Sequence, residues 1–538
     1  MTQSGTQNEH TGHESEGLPA SGLSLTGRVF WNLGAAALCE RAVARGEARL
    51  SDSGALVVTT AAPSAAPAHY VVRTSPHEDG AEEALRESTV ILSRAHFEAL
   101  KSDLLAHTAS RTLFAQDVQV DAGSGLRLRV LSEQAWHGLF ARHLFPAADV
   151  QHDAHSVPDV TILCAPGFRI DPEAHGVDAT GAIAIDVESG VALVAGIAGS
   201  EAIRHALFTF LAHRLPNHGV LPLNGAATAD PAGDVALFLG PPGAGKSALA
   251  GDATHVQIGD GALGWNRDGI VPLEAGVCAR LRDLSHHPGA EAATRRFGAV
   301  LENVPVDTGT RAPDFAPGGS SSQARAIVPL GADRNPGAPR PPAHLFLLVH
   351  DALGVLPPIA RLSSAQALYH FLSGYSAGGS AAMPETIVEA AVAAPFAPCF
   401  TPALPHAPDV YGALLRDLLA RHEPSCWLVN TGWIGGRAGT GRRVPLETSR
   451  RLVDAAQAGE LAAGEWRTDP HFGFSVPAAL EGVDPVLLDP VKAWTHRADH
   501  AAAARRLTGL FATHFARFET TFGEDVRGAQ PGMAMAAE

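Results

Sequence analysis

Apolar residues recur at helical spacing over three stretches of the first third of the chain. Phe30–Gly46, Ser93–His107 and Glu133–Phe145 are therefore read as helices. Short apolar runs between them, Ala55–Thr59 and Leu126–Val130, predict strands. Residues 158–200 turn strand-rich, with Val160–Cys164, Ala182–Val187 and Val191–Val194, and a helix is expected from Glu201 to Arg214. Pro216-Asn-His-Gly219 then reads as a turn. Beyond it, the apolar run at 237–239, Val256–Asp260, Ile270–Leu284 and Leu345–Val349 carry the strand pattern. Ser363–Gly374 reads as a helix with Ser363 as cap and Gly374 as stop. Thr448–Gly459 and Ala501–Phe518 are helical by period, and Thr308–Ser322 and Gly378–Ala382 read as connections. There is no internal repeat.

At 538 residues the chain exceeds one ordinary core, and two domains are expected, divided at the turn. The domains are residues 23–219 and 220–525, flanked by disordered tails at 1–22 and 526–538. Hydrophobic content of 46% is that of a globular protein. A formal charge of -16 argues against general affinity for nucleic acid or an anionic membrane surface. No apolar run approaches the roughly 18 residues of a membrane span. Cysteines 39, 164, 278, 399 and 426 are scattered and odd in number, which suits buried thiols in a reducing compartment. A cytoplasmic protein is expected.

One segment carries explicit chemistry. Leu237-Phe-Leu-Gly-Pro-Pro-Gly-Ala-Gly-Lys-Ser-Ala-Leu249 reads as strand, glycine loop and helix, and it fits the G-x-x-x-x-G-K-[ST] phosphate-loop pattern. Gly240, Gly243 and Gly245 permit a tight turn, so that backbone N–H groups, with Ala244 and Ala248 in the same run, converge on phosphate oxygens. Lys246 would neutralise the outer phosphates, and the Ser247 hydroxyl would ligate Mg²⁺. An ATP site is expected.

With that loop in place, the chain resembles the ATP-dependent phosphoenolpyruvate carboxykinase family from about residue 30 to 520. The matching blocks lie in family order: Ala135-Trp-His-Gly-Leu-Phe-Ala-Arg142, Ala165-Pro-Gly-Phe168, the glycine loop, Ile258-Gly-Asp-Gly-Ala-Leu-Gly-Trp265, Arg295–Asn303, Gly354–Arg361, Tyr369–Tyr375 and Val429-Asn-Thr-Gly-Trp433. The resemblance implies an α/β fold of two lobes around a cleft, the C-terminal one a P-loop nucleotide-binding domain. It implies conversion of oxaloacetate and ATP to phosphoenolpyruvate, ADP and CO₂, with one divalent ion on the nucleotide and a second, usually Mn²⁺, held by protein. Lys246, Ser247, Asp260, Arg443 and Ser449 match the family's nucleotide and magnesium positions. Arg325, in Gln323-Ala-Arg325, matches an arginine near the transferred phosphate.

The acceptor side departs from the family. The second metal's lysine, histidine and aspartate positions fall on His205, Asn224 and Gly261, with Arg204 at a preceding lysine position. His205 is a candidate metal ligand, but without the anionic ligand tight Mn²⁺ binding is not expected. The arginine-bearing substrate segment becomes Ala61–His69, with no arginine before Arg73. A tyrosine position becomes Gly199, the lid becomes Ala377–Ala382, a loop serine becomes Pro242, and Glu291 is nearest to an expected acid. The expectation is an ATP-dependent phosphotransferase with a changed, unidentified acceptor. A nucleotide-binding pseudoenzyme and a working gluconeogenic carboxykinase are the alternatives.

Overall fold

A computed structural model of the chain describes residues 13–16, 19–20, 23–60, 68–72, 90–120, 125–146, 157–241, 243–251, 254–281, 284, 290–315, 323–329, 338–373 and 405–532. The chain divides into two compact α/β units. The first comprises Met1–His218, Leu273–Asn335 and Thr401–His406, and the second comprises Gly219–Pro272, Pro336–Phe400 and Ala407–Glu538. Among the described residues, no helix is long and apolar enough to cross a membrane.

The elements that position the candidate site follow in chain order. They begin with strands β1 (Leu56–Val58) and β2 (Ala68–Val72), helix α1 (Glu201–Arg214), and strands β3 (Leu221–Ala229) and β4 (Val235–Leu239). Next are α2 (Lys246–Ala250), β5 (Val256–Asn266), β6 (Gly276–Arg280), β7 (Val300–Glu302) and β8 (Arg325–Pro329). The set closes with β9 (Pro342–Val349), β10 (Ser425–Asn430) and α3 (Leu446–Gln457).

The first unit holds a nine-stranded sheet, with β2 next to one edge, and a five-stranded sheet ordered β6-β8-β7-β1 and Ala48–Leu50. Helix α1 packs on the large sheet, and Ile203, Ala206, Leu207, Phe210 and Leu211 are almost wholly removed from water. Its bounds match the sequence reading because apolar periodicity, Glu201 in the first turn and His213 and Arg214 in the last all agree. The small sheet joins distant sequence: Leu56 of β1 lies parallel to Val300 of β7. That pairing draws residues 273–335 back to the first unit, which no single cut at 219/220 provides.

The second unit is built on a nine-stranded sheet in which β5, β3, β4, β9 and β10 are successive neighbours. Strand β4 is central and every residue of it is buried. It runs antiparallel to β3 and parallel to β9. The helix Ser364–Ser373 begins with the expected cap: Gln366 N donates to Ser363 Oγ (3.1 Å) and Ser363 N donates to Gln366 Oε1 (3.0 Å).

Three expectations are corrected. Phe30–Gly46 is not one helix, because Arg28–Trp31 is a strand paired with Leu113–Ala115 and the helix spans Ala35–Ala44. Val29, Phe30 and Trp31 favour a pleated, buried surface over a helix. Ile270–Leu284 is broken between two sheets: Gly269–Pro272 pairs with β5, and β6 pairs with β8. Pro272 has no N–H to extend the ladder, and the chain crosses between units there. The tails are also partly structured. His13–Glu16 pairs antiparallel with Arg28–Trp31, and at the other end Val526 and Ala529 are buried while Gly532 N donates to His471 O (2.8 Å).

Candidate functional site

Sequence-predicted residues fall into both units. In the second unit, β4 delivers the glycine loop from the middle of the sheet. A Cβ on Gly240 would lie 2.7 Å from Leu348 O and 2.8 Å from Leu348 Cβ, so the loop leaves the sheet where only glycine fits. Gly243 and Gly245 have φ of +84° and +94°, a region L side chains rarely adopt. Lys246 folds back over the loop, its Nζ donating to Gly240 O (2.7 Å) and Pro241 O (3.3 Å). Pro242 lies outside the described residues.

The loop is fastened beneath and behind. Ala244 is buried, and its carbonyl accepts the Thr431 hydroxyl at 2.9 Å. Arg450 of α3 donates to Ala248 O through Nε (3.2 Å) and Nη2 (3.0 Å), capping the five-residue α2. Leu249 and Ala250 pack with Phe238, Phe346, Leu452 and Val453. Ser247 and Ala248 are half-buried on the first turn of α2.

Arg443 is exposed, and its Nε donates to Thr431 O (3.1 Å), so Thr431 touches both this arginine and the loop. Ser449, grouped with Arg443 by sequence, is buried, and its hydroxyl turns to Pro445 O of its own helix at 3.4 Å. On β5, Asp260 pairs with Ala226 of β3, Gly261 with Gly225 and Ala262 with Asn224. Alternation along both strands puts Asp260 and Asn224 on one face and Gly261 on the other. Gly261 has φ of +134°, a backbone that disfavours a side chain.

The first unit holds a compact cluster of charge around α1. Ser200 precedes the helix, and its Oγ donates to Glu302 Oε2 (2.5 Å) while its N donates to Glu302 Oε1 (3.2 Å). Glu302 on β7 is paired in register with Arg325 on β8, and Arg325 with Arg280 on β6. Arg325 forms an ion pair with Glu201 Oε2. The other Glu201 oxygen lies 3.6 Å from His205 Nε2 and 3.9 Å from Arg204 Nη1. Burial pushes the Glu201 carboxyl up, but Arg325, Arg204, His205 and Arg280 outweigh it and hold it below the ordinary range. Glu302 shifts the other way, raised chiefly by burial.

Arg204 is a fixed structural charge. Its Nε and Nη2 donate to Glu274 Oε1 (2.6 Å) and Oε2 (2.7 Å), and its guanidinium lies 5.0 Å from the Phe208 ring centre. His205 stacks obliquely on His69, ring centres 5.2 Å apart. Burial lowers both imidazoles, His69 to about 4. Burial likewise raises the half-buried Cys278 thiol to about 12, so it is no thiolate nucleophile at neutral pH.

Sequence reading found Arg325 and His205 but missed Glu201, His69, Arg280 and Glu274. Glu201 carried a usable signal, standing three and four positions before Arg204 and His205 on a helix. Glu274 and Arg280 carried none, because Arg204 meets Glu274 from a helix 70 residues away and Arg325 reaches Arg280 through strand pairing. Glu291 is exposed on the short turn Ala290–Ala293. Residues 61–67, Arg73 and 377–382 lie outside the described residues.

The implied metals meet different surroundings in the two units. The Ser247 hydroxyl and Asp260 carboxylate are hard oxygen donors of the kind Mg²⁺ takes. Around His205 the only near carboxylate, among the described residues, is Glu201, already engaged by Arg325 and flanked by Arg204. A further dication does not fit that set. Among the described residues, no group of three or more His, Cys, Asp or Glu is placed to hold a metal ion.

Comparison with known proteins gives one consistent result. A family model described as phosphoenolpyruvate carboxykinase matches residues 27–485. The chain is 40% identical to a phosphoenolpyruvate carboxykinase (ATP) of Rhodopseudomonas palustris strain BisB5, with 100% of both chains covered. It is 42% identical to proteins of the same name from Methylobacterium sp. strain 4-46 and Mesorhizobium japonicum, each covering 96% of this chain and 97% of the relative.

Proposed function

The chain belongs to the ATP-dependent phosphoenolpyruvate carboxykinase family, and we propose that it transfers the γ-phosphoryl group of ATP to an enolate formed by decarboxylation of a small oxo-acid. Oxaloacetate is the substrate of the parent reaction and the first candidate. The C–C bond to the departing carboxylate breaks, CO₂ leaves, and the electron pair becomes an enolate. The enolate oxygen then bonds to the γ-phosphorus as the P–O bond to ADP breaks.

The observation that carries this reading is the glycine loop, whose positive-φ glycines, buried Ala244 and bent-back Lys246 form a preset phosphate cradle. A cradle fixed before binding needs no reorganisation during transfer, which is where electrostatic stabilisation acts best. Lys246 is assigned to the outer phosphates, Ser247 and Asp260 to Mg²⁺, Arg443 to the nucleotide, and Arg325 to charge on the transferred group. Bound with the nucleotide, Mg²⁺ would offset phosphate charge. Ser449 is assigned no direct contact, since its hydroxyl is buried and turned inward.

A second reading, a changed acceptor, is favoured by one specific observation. Arg204 is closed onto Glu274 by two short hydrogen bonds, so this cation is committed to the protein rather than to a substrate carboxylate. Purified protein with ATP, Mg²⁺, Mn²⁺ and oxaloacetate separates the readings. Phosphoenolpyruvate formation that Lys246→Ala abolishes supports the parent reaction. ATP consumption on other oxo-acids alone supports the changed acceptor. ATP binding with no turnover of any acceptor overturns both.

A further inference from the structure

The geometry points to Glu201 as a positioning residue that organises the charge cluster of the first unit in place of a protein-held second dication. The proposal rests on the phosphoryl-transfer reading above and deepens it, by stating how that cluster is held and which metal it does without.

One carboxylate meets three cationic or basic groups. Glu201 Oε2 takes Arg325, while Oε1 faces His205 at 3.6 Å and Arg204 at 3.9 Å. Arg325 is thus held from α1, although it stands on a different element, β8. Arg204 is held separately by Glu274, which leaves Glu201 free to serve Arg325 and His205. The helix that carries Glu201 is itself pinned, since Ser200 and Thr60 both donate to Glu302, the strand neighbour of Arg325.

Side chains of long reach hold one geometry only when a partner fixes them, and the Arg325 side chain is 12% exposed and Glu201 28%. A dication at His205 would have to share the single Glu201 carboxylate with Arg325, through the oxygen that Arg204 also faces. The fixed guanidinium therefore supplies the positive charge there.

Three measurements test this. Nucleotide-free protein is titrated with Mn²⁺ and free ion is read by electron paramagnetic resonance. No site tighter than about 1 mM is expected, an affinity that corresponds to only ~4 kcal/mol. One tight site per chain, removed by His205→Ala, overturns the proposal. Next, phosphoenolpyruvate formation with Mg²⁺ as the sole dication is followed in Glu201→Gln, Arg325→Ala and the double variant. Each single change should lower kcat by roughly 10- to 100-fold with the KM for ATP within about twofold, and the double variant should match Arg325→Ala. Multiplying losses, or a loss confined to the KM for ATP, overturns it, because a merely structural carboxylate would not act through Arg325. Glu201→Asp serves if Glu201→Gln does not fold.

If the unaltered protein makes no phosphoenolpyruvate, the functional reading fails by itself. The Mn²⁺ titration and a third measurement, the phenylglyoxal reactivity of Arg325 mapped by peptide mass, then decide. Faster modification in Glu201→Gln supports the contact, and an unchanged rate overturns it.

Discussion

Arg204 and Glu274 form a bidentate, buried ion pair, with Nε–Oε1 at 2.6 Å and Nη2–Oε2 at 2.7 Å. They lie 70 residues apart, on α1 and on the crossing between Pro272 and β6. Removing one partner of such a pair leaves a desolvated charge unmatched. Glu274→Ala should therefore destabilise the chain by about 3–5 kcal/mol, read as a shift of the urea midpoint. A midpoint unchanged within error would show that Arg204 finds water or another anion.

Gly240→Ala tests the exit of the loop from β4. The added Cβ meets Leu348 O at 2.7 Å and Leu348 Cβ at 2.8 Å, and β9 has no room to retreat within a sheet buried on both sides. A loss of about 1–3 kcal/mol is expected, together with weaker binding of a fluorescent ATP analogue. Gly219→Ala makes the control, as its Cβ position is open, although its φ of +69° carries its own small strain.

Side chains alone do not make a metal site across β3 and β5. Gly261→Asp combined with Asn224→His would place an aspartate and a histidine at the positions the resemblance assigns to the second metal, but Gly261 has φ of +134° and faces away from Asn224. The double variant should lose on the order of 1–3 kcal/mol and gain no stoichiometric Mn²⁺ site. Appearance of such a site at undiminished stability would contradict the register described for β3 and β5.

Acid should destabilise the first unit through His137. This imidazole is completely buried, its Nε2 donating to Ala198 O (2.9 Å) and its Nδ1 accepting from Ser132 Oγ (2.8 Å). Burial lowers it to about 4, against the modest opposing pull of the Ala198 carbonyl. The unfolded chain protonates near pH 6.5, so between about 6.5 and 4 it binds more protons than the folded chain. The stabilisation is complete above pH 6.5 and is lost as pH falls toward 4, by about 3 kcal/mol. His213, lowered to about 4, acts in the same sense, and His370, lowered by burial to about 3, does so in the second unit. Urea unfolding at pH 7 and pH 4.5 measures the slope. His137→Gln should flatten it, and a pH-independent midpoint would remove this account.

Local pattern alone determined a good deal of this protein. Helix α1, the Ser363 cap and the strand into the glycine loop follow from periodicity and capping chemistry, which act between residues a few positions apart. The loop's glycines were equally legible, since a positive φ is a constraint on one residue at a time. Tertiary structure alone decided the rest. The return of residues 273–335 to the first unit, the closure of Arg204 on Glu274 and the assembly of Glu201, Arg325, Arg280, His205 and His69 depend on strand pairing and on helix contacts across large sequence separations. A charged side chain does not announce its partner. Whether an arginine grips a substrate or a neighbouring glutamate is settled by where the sheets place it, and by the cost of leaving a buried charge unpaired.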